Sequence, residues 1–167
     1  MTAGSRECDH MSQILRAGEA EGVRIGGMHV TYLARSGSTQ DAMGIYAISL
    51  APRSPGAGLH RHAVLTETFE IHSGVLTLRI DGRDLDAGPG DFVLIPPGQP
   101  HAFANRGGEP VRFTLSFTPA LAREGFFEGL AKLAAANRLS DEDAMERLMR
   151  RYDQEPLEGF GGWSELN

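Results

Sequence analysis

From residue 26 to residue 118 the chain is cut into short extended runs by clusters of turn-forming residues, and this punctuation restricts the fold more than any other feature. MHVTYLA (28–34), AMGIYAISL (42–50), ETFEIHSG (67–74), VLTLRI (75–80), FVLIP (92–96), HAFAN (101–105) and VRFTLSFT (111–118) are rich in β-branched and aromatic residues, and each reads as a strand. Between them lie SGSTQD (36–41), APRSPGAG (51–58), DGRD (81–84), DAGPGD (86–91), PGQP (97–100) and RGGEP (106–110), all of which read as turns or loops. LHRH (59–62) begins a further strand, and the Asp-Gly pair in DGRD is a hairpin signal. Short strands at such spacing predict an all-β sandwich or barrel. The chain's 21 glycines and 9 prolines among 167 residues fit that reading, since glycine usually makes up only about 7% of a protein.

After Pro119 the pattern becomes helical. Leu121, Phe127, Leu130 and Ala134 recur at helical spacing, as do Met145, Leu148, Met149 and Tyr152 after a cap expected at Ser140. Both stripes read as faces packed on the β core. The expected organisation is an N-terminal arm at 1–25, a barrel at 26–118, C-terminal helices at 119–155 packed on it, and a tail at 156–167. Within this region, Met11–Ala20 reads as a short helix or simply as an arm.

Composition excludes several classes. The chain is 41% hydrophobic and 23% charged, which suits one globular domain rather than disorder. No run of about 18 apolar residues exists, so no membrane span is expected. MTAGSRECDH carries charge where a signal peptide needs an apolar stretch, and the single cysteine, Cys8, cannot form an internal disulfide. A cytoplasmic location follows as the expectation. The net charge of -6 and the scattered arginines, with only Arg147, Arg150 and Arg151 clustered, argue against a nucleic-acid partner.

Four residues carry chemistry: His60, His62, Glu67 and His101. Alternation along a strand puts His60 and His62 on one side. Glu67 opens the next extended run and can turn toward them, and strand pairing can bring His101 opposite. Three imidazole nitrogens and a carboxylate oxygen suit a divalent transition metal and leave one or two coordination positions open. A lone His-x-His pair is more often a surface or core feature, and His10, His29 and His72 are read that way. Parity places His72 on the face opposite Glu67.

The spacing around these residues resembles the cupin family of small metal-binding β-barrels. His60, His62, Glu67 and Gly74 follow the first cupin motif, H-x-H-x3,4-E-x6-G, although Ser54 stands where its opening glycine would fall, with Gly56 and Gly58 nearby. Gly90, Pro96, Gly98, His101 and Asn105 meet the second motif, G-x5-P-x-G-x2-H-x3-N, in full. Gly74 and Gly90 suit turns with positive φ, Pro96 and Gly98 shape the turn before His101, and Asn105 suits backbone hydrogen bonding at a strand end.

The resemblance implies a jelly-roll (double-stranded β-helix) barrel with one divalent transition metal, Fe, Ni, Mn, Co or Zn, held by His60, His62, Glu67 and His101. It places Phe69, Ile71, Phe103, Phe113, Leu115 and Phe117 in the lining of an apolar substrate pocket, with Met43, Ile45 or Tyr46 contributing from the other sheet. Apart from the ligands, no acid or base is expected in that interior. The activity implied first is a quercetinase-like dioxygenase acting on a small aromatic or polyketide-like substrate, with Glu67 as ligand and proton acceptor. A non-redox cyclase or isomerase of polyketide tailoring is the alternative. A binding module without turnover is the third, since one barrel hosts many chemistries. A homodimer is expected, because an open sheet edge or the N-terminal arm can pair across a twofold axis.

Overall fold

The computed structural model describes residues 12–16 and 18–157. In chain order the strands are β1 (Gly22–Ile25), β2 (Met28–Ala34), β3 (Gly44–Leu50), β4 (Ser54–Arg61), β5 (Thr66–Ser73), β6 (Leu76–Ile80), β7 (Arg83–Ala87), β8 (Phe92–Ile95), β9 (His101–Asn105) and β10 (Val111–Thr118). Two helices follow, α1 (Glu124–Ala135) and α2 (Glu142–Arg151), and a two-residue strand, β11 (Glu155–Pro156). The strands form a six-stranded sheet, β1-β2-β3-β10-β5-β8, and a five-stranded sheet, β11-β4-β9-β6-β7. Every pairing is antiparallel. This is the jelly-roll arrangement, with helices at its C-terminal end.

The core forms because alternation is strict where the sheets face each other. In β10, Val111, Phe113, Leu115 and Phe117 are buried while Arg112 and Thr118 are exposed. In β3, Gly44, Tyr46, Ile48 and Leu50 turn inward. Burying each large side chain of this kind contributes roughly 1.5–3 kcal/mol. Phe69, Phe103 and Phe113 meet edge-on or tilted, with ring centroids 5.4–5.8 Å apart, and fill one end of the barrel. The β6–β7 hairpin turns at Asp81 and Gly82, both at positive φ (50° and 72°), the geometry that matches the twist of paired strands.

The structure departs from the sequence reading in four places. Gly22–Ile25 is an edge strand paired with β2, so the barrel begins inside the segment expected to be an arm. Residues 12–16 carry no regular structure, while most of the expected arm and nearly all of the expected tail, with Cys8, His10 and Trp163, lie outside the described residues. Ser54–Gly58, read as a turn from its proline and glycines, is the start of β4 and pairs with β9 through two register shifts. The glycine content there reflects close packing: a Cβ at Gly56 would lie 2.3 Å from the Phe103 ring and 2.5 Å from the Phe103 carbonyl oxygen. Finally, α2 is capped by Asp141 rather than Ser140, because it is the Asp141 carboxylate that accepts from the Ala144 N–H at 3.0 Å.

Candidate metal centre

The four expected donors come together where the two sheets meet. His60 is in β4 and lies opposite His101 of β9 in the strand register. His62 stands one residue beyond β4, and Glu67 comes from β5 in the other sheet. The turn after β8 joins the two histidine-bearing segments, since the Gly98 N–H donates to the His62 carbonyl oxygen at 2.7 Å. Gly98 makes this turn at φ +82°, which a side chain would oppose. Asn105 secures the far end of β9. Its amide donates to the Ala51 and Glu109 carbonyls at 2.9 and 2.8 Å, and its Oδ1 accepts from the Gly107 N–H at 3.0 Å.

All four donor residues are at most 2% exposed, and one ligand atom from each lies within 4.8 Å of the others. The orientation of the rings is fixed by their outer nitrogens. His60 Nδ1 donates to the Gly58 carbonyl at 2.7 Å, His101 Nδ1 donates to the Gln99 carbonyl at 3.0 Å, and His62 Nδ1 donates to the Asp153 carbonyl. A carbonyl can only accept, so each Nδ1 carries a proton and each Nε2 is turned to the centre of the cluster. Those Nε2 atoms lie 4.0, 3.1 and 2.7 Å (His60, His62, His101) from a single oxygen, Glu67 Oε2.

Such a cluster needs a positive charge at its centre. Lone pairs on three nitrogens and a carboxylate oxygen repel one another unless protons or a cation lie between them. Three buried imidazolium rings would repel in turn, whereas one divalent cation satisfies all four donors. The electrostatics agree. Burial pushes the Glu67 carboxyl up, but His101 and His62 beside it outweigh burial and hold it well below the usual carboxylate range. Burial, with His101 next in weight, holds His60 well below the ordinary imidazole value. Burial lowers His101 too, but contact with the Glu67 carboxylate leaves it raised. The buried His60, His62, Glu67 and His101 cluster could therefore hold a metal ion.

Beside the cluster is a cavity of about 310 Å³, within the range of small-molecule sites. His60 and Glu67 face it, with Phe103, Leu115 and Phe117 from the barrel. Phe126, Phe127 and Leu130 of α1 and Met145 and Met149 of α2 line it from the helical side. The remaining expected lining residues lie elsewhere. Phe69, Ile71 and Phe113 are buried in the barrel's packed core and do not border the cavity. Met43 precedes β3 and is 42% exposed, and Ile45 is on the outer face because alternation turns Gly44 and Tyr46 inward. Tyr46 donates from its hydroxyl to Glu124 at 3.0 Å. His72 is exposed on the opposite side of β5 from Glu67 and lies 2.7 Å from the Thr114 hydroxyl.

Three residues of this region escaped the sequence reading. Arg123, 3% exposed, is in the cavity wall, so the interior does hold a charged group besides the ligands. An arginine three residues ahead of the pair Phe126 and Phe127 in an apolar helical run was the available signal. Asp153 accepts from the N–H groups of Ala63, Val64 and Leu65, each at 2.9 Å, while its own carbonyl holds His62. Gln154 is buried and accepts from Arg123. Nothing local distinguishes Asp153 or Gln154, because their partners are about 90 and 30 residues away.

Residues 47–117 match the cupin domain family. Within these residues the chain carries a cupin domain. It is 29% identical over 90 residues, 54% of its own length, to quercetin 2,3-dioxygenase of Bacillus subtilis, and spans only 26% of that enzyme. Among solved structures, a predicted oxalate decarboxylase of Thermotoga maritima superposes with a TM-score of 0.60 at 21% identity, covering 64% of this chain and 99% of the other. The polyketide cyclase RemF of Streptomyces resistomycificus gives 0.57 at 21% identity, covering 65% and 80%. At these identities the two structures establish the fold alone. No described helix is long and apolar enough to cross a membrane.

Proposed function

We propose that this cupin is a metal-dependent enzyme acting on a small organic molecule, with oxidative cleavage by dioxygen as its reaction. The observation that carries this reading is the convergence of three Nε2 atoms and one carboxylate oxygen on one buried point at the edge of an apolar cavity. His60, His62 and His101 would hold the metal through Nε2, and Glu67 would complete the set. A divalent transition metal there supplies Lewis acidity and, where redox-active, a route for electrons to dioxygen. Glu67 also borders the cavity, so its carboxylate is placed to take the proton of a substrate hydroxyl. The phenylalanines and methionines of α1 and α2 exclude water and present apolar surface to an aromatic ring. The distant likeness to a quercetin dioxygenase supports an aromatic substrate.

Non-redox cyclisation or isomerisation is the second reading. It is favoured by the buried cation Arg123 in the cavity wall, which can stabilise an enolate without any electron transfer. Oxygen uptake separates the two. Protein loaded in turn with iron, nickel, manganese, cobalt and zinc is offered quercetin in an oxygen electrode. Uptake with a redox-active metal and none with zinc is expected. Turnover that proceeds equally under anaerobic conditions overturns the oxygenase reading.

A further inference from the structure

Arg123 is a buried charge whose hydrogen bonding is incomplete. Four more exposed arginines pair closely with carboxylates: Arg35 with Glu128, Arg61 with Glu155, Arg138 with Asp141, Arg150 with Glu146, at 2.6–2.7 Å. Arg123, deeper than any of these, pairs with no carboxylate among the described residues. Its Nη1 donates to the Tyr152 carbonyl at 2.8 Å and its Nη2 to the Gln154 side-chain oxygen, both neutral acceptors. Its Nε–H has no acceptor among the described residues. The guanidinium lies 4.1 Å from the Phe126 ring centroid and 4.8 Å from that of Phe117, so aromatic surface packs around it. Burial lowers its pKa to about 10, which still leaves it charged at neutral pH.

A charge in this position is costly unless something completes it. The open donor belongs to a residue that borders the same cavity as His60 and Glu67. A metal dication held by those ligands would leave two cationic groups against one carboxylate at the cavity, a balance that favours an anionic guest. A carboxylate oxygen is a strong, charge-assisted acceptor for the one open guanidinium donor. Phe126, Phe127, Leu130 and Met149 in the same wall offer apolar contact.

We propose that the cavity takes a small organic carboxylate, with a carboxylate oxygen accepting from Arg123 Nε–H and the apolar body against α1 and α2. This rests on the reading of the cavity as the substrate site, but its test does not need turnover.

The test compares 2-naphthoate with its uncharged isostere 2-naphthamide, by calorimetric titration of the protein as purified, then of Arg123→Gln and Arg123→Lys. The wild type is expected to bind 2-naphthoate about tenfold or more tighter than the amide, equivalent to about 1.4 kcal/mol. Arg123→Gln should abolish the preference while amide affinity stays within about twofold, and Arg123→Lys should keep part of the preference. Equal binding of the two probes by the wild type, or an unchanged preference in Arg123→Gln, overturns the proposal.

If Arg123→Gln does not fold, the wild type after chelation decides. A preference that survives metal removal supports Arg123 as the anion site, and one that vanishes with the metal overturns it. Failure to find a metal or oxygen uptake would defeat the proposed reaction and leave the naphthoate preference standing, so the two failures are distinguishable.

Discussion

His60 and His101 are held differently from His62. The first two each donate Nδ1–H to the carbonyl two residues upstream, Gly58 and Gln99, so the backbone that presents each ring also aims it. His62 donates instead to Asp153, 91 positions away, beyond the end of α2. The barrel thus supplies all four donors but itself orients only two of the histidines. The third depends on a C-terminal segment that carries no motif. That segment is fixed in turn by the Asp153 carboxylate on the N–H groups of residues 63–65 and by β11 pairing with β4 at His60 and Arg61. The C-terminal segment is therefore part of the candidate metal centre rather than an appendage to it.

The most severe way to break this arrangement is to remove a donor. His101→Ala should weaken metal affinity by about a hundredfold or more, beyond what loss of an outer partner causes. Apolar burial, not the imidazole, holds the barrel, so the metal-free variant should melt within roughly 5 °C of the metal-free wild type. Elemental analysis and calorimetry check both halves. Full metal occupancy in the variant would contradict the ligand assignment.

Asp153→Ala addresses the remote support directly. It removes three hydrogen bonds to a charged acceptor and frees the backbone that orients His62. Metal affinity should fall about ten- to a hundredfold, and the metal-free protein should lose roughly 2 kcal/mol. An unchanged metal affinity alongside the stability loss would show that the barrel alone orients His62.

The contrast also governs pH dependence. In the metal-free protein, the depressed His60 contributes stability above about pH 6.5 that is lost as pH falls. The raised His101 contributes stability below that value that is lost as pH rises through its folded pKa. The two act on opposite sides of about pH 6.5: falling pH gains the His101 contribution above that value and loses the His60 contribution below it. Glu67, depressed, adds stability above about 4.5 that is lost as pH falls further. Metal-free protein should therefore be most stable near pH 6.5, weaken as pH falls below it, and weaken further below about pH 4.5. Metal-loaded protein should lose its advantage between about pH 7 and 5, with a slope of more than one proton, because protons compete for three imidazoles. Melting temperatures with and without chelator give the difference. A difference that persists unchanged at pH 5 would contradict imidazole ligation.

The strands of the second sequence motif, and the alternation of β3 and β10, were legible because spacing and period are local properties. The four donors were legible for the same reason, His60, His62 and Glu67 from one stretch and His101 from the other. β4 was misread because its glycines were assigned to a turn, when Gly56 serves a close approach to Phe103. The cavity wall was only partly legible: Phe103, Leu115 and Phe117 border it, whereas Arg123 and the faces of α1 and α2 depend on how the helices dock. Gly56→Ala sharpens this point with the smallest expected effect. Its Cβ meets the Phe103 ring and carbonyl, so overpacking should cost roughly 1–3 kcal/mol in denaturant unfolding. An unchanged midpoint would show that β4 has slack at this position.

X-ray absorption at the metal edge, on protein reconstituted with one divalent metal at pH 7.5 and then desalted, tests the central claim most directly. The account predicts one metal per chain with a first shell of three imidazole nitrogens and a carboxylate oxygen. A shell without imidazole, or no metal retained, would contradict it.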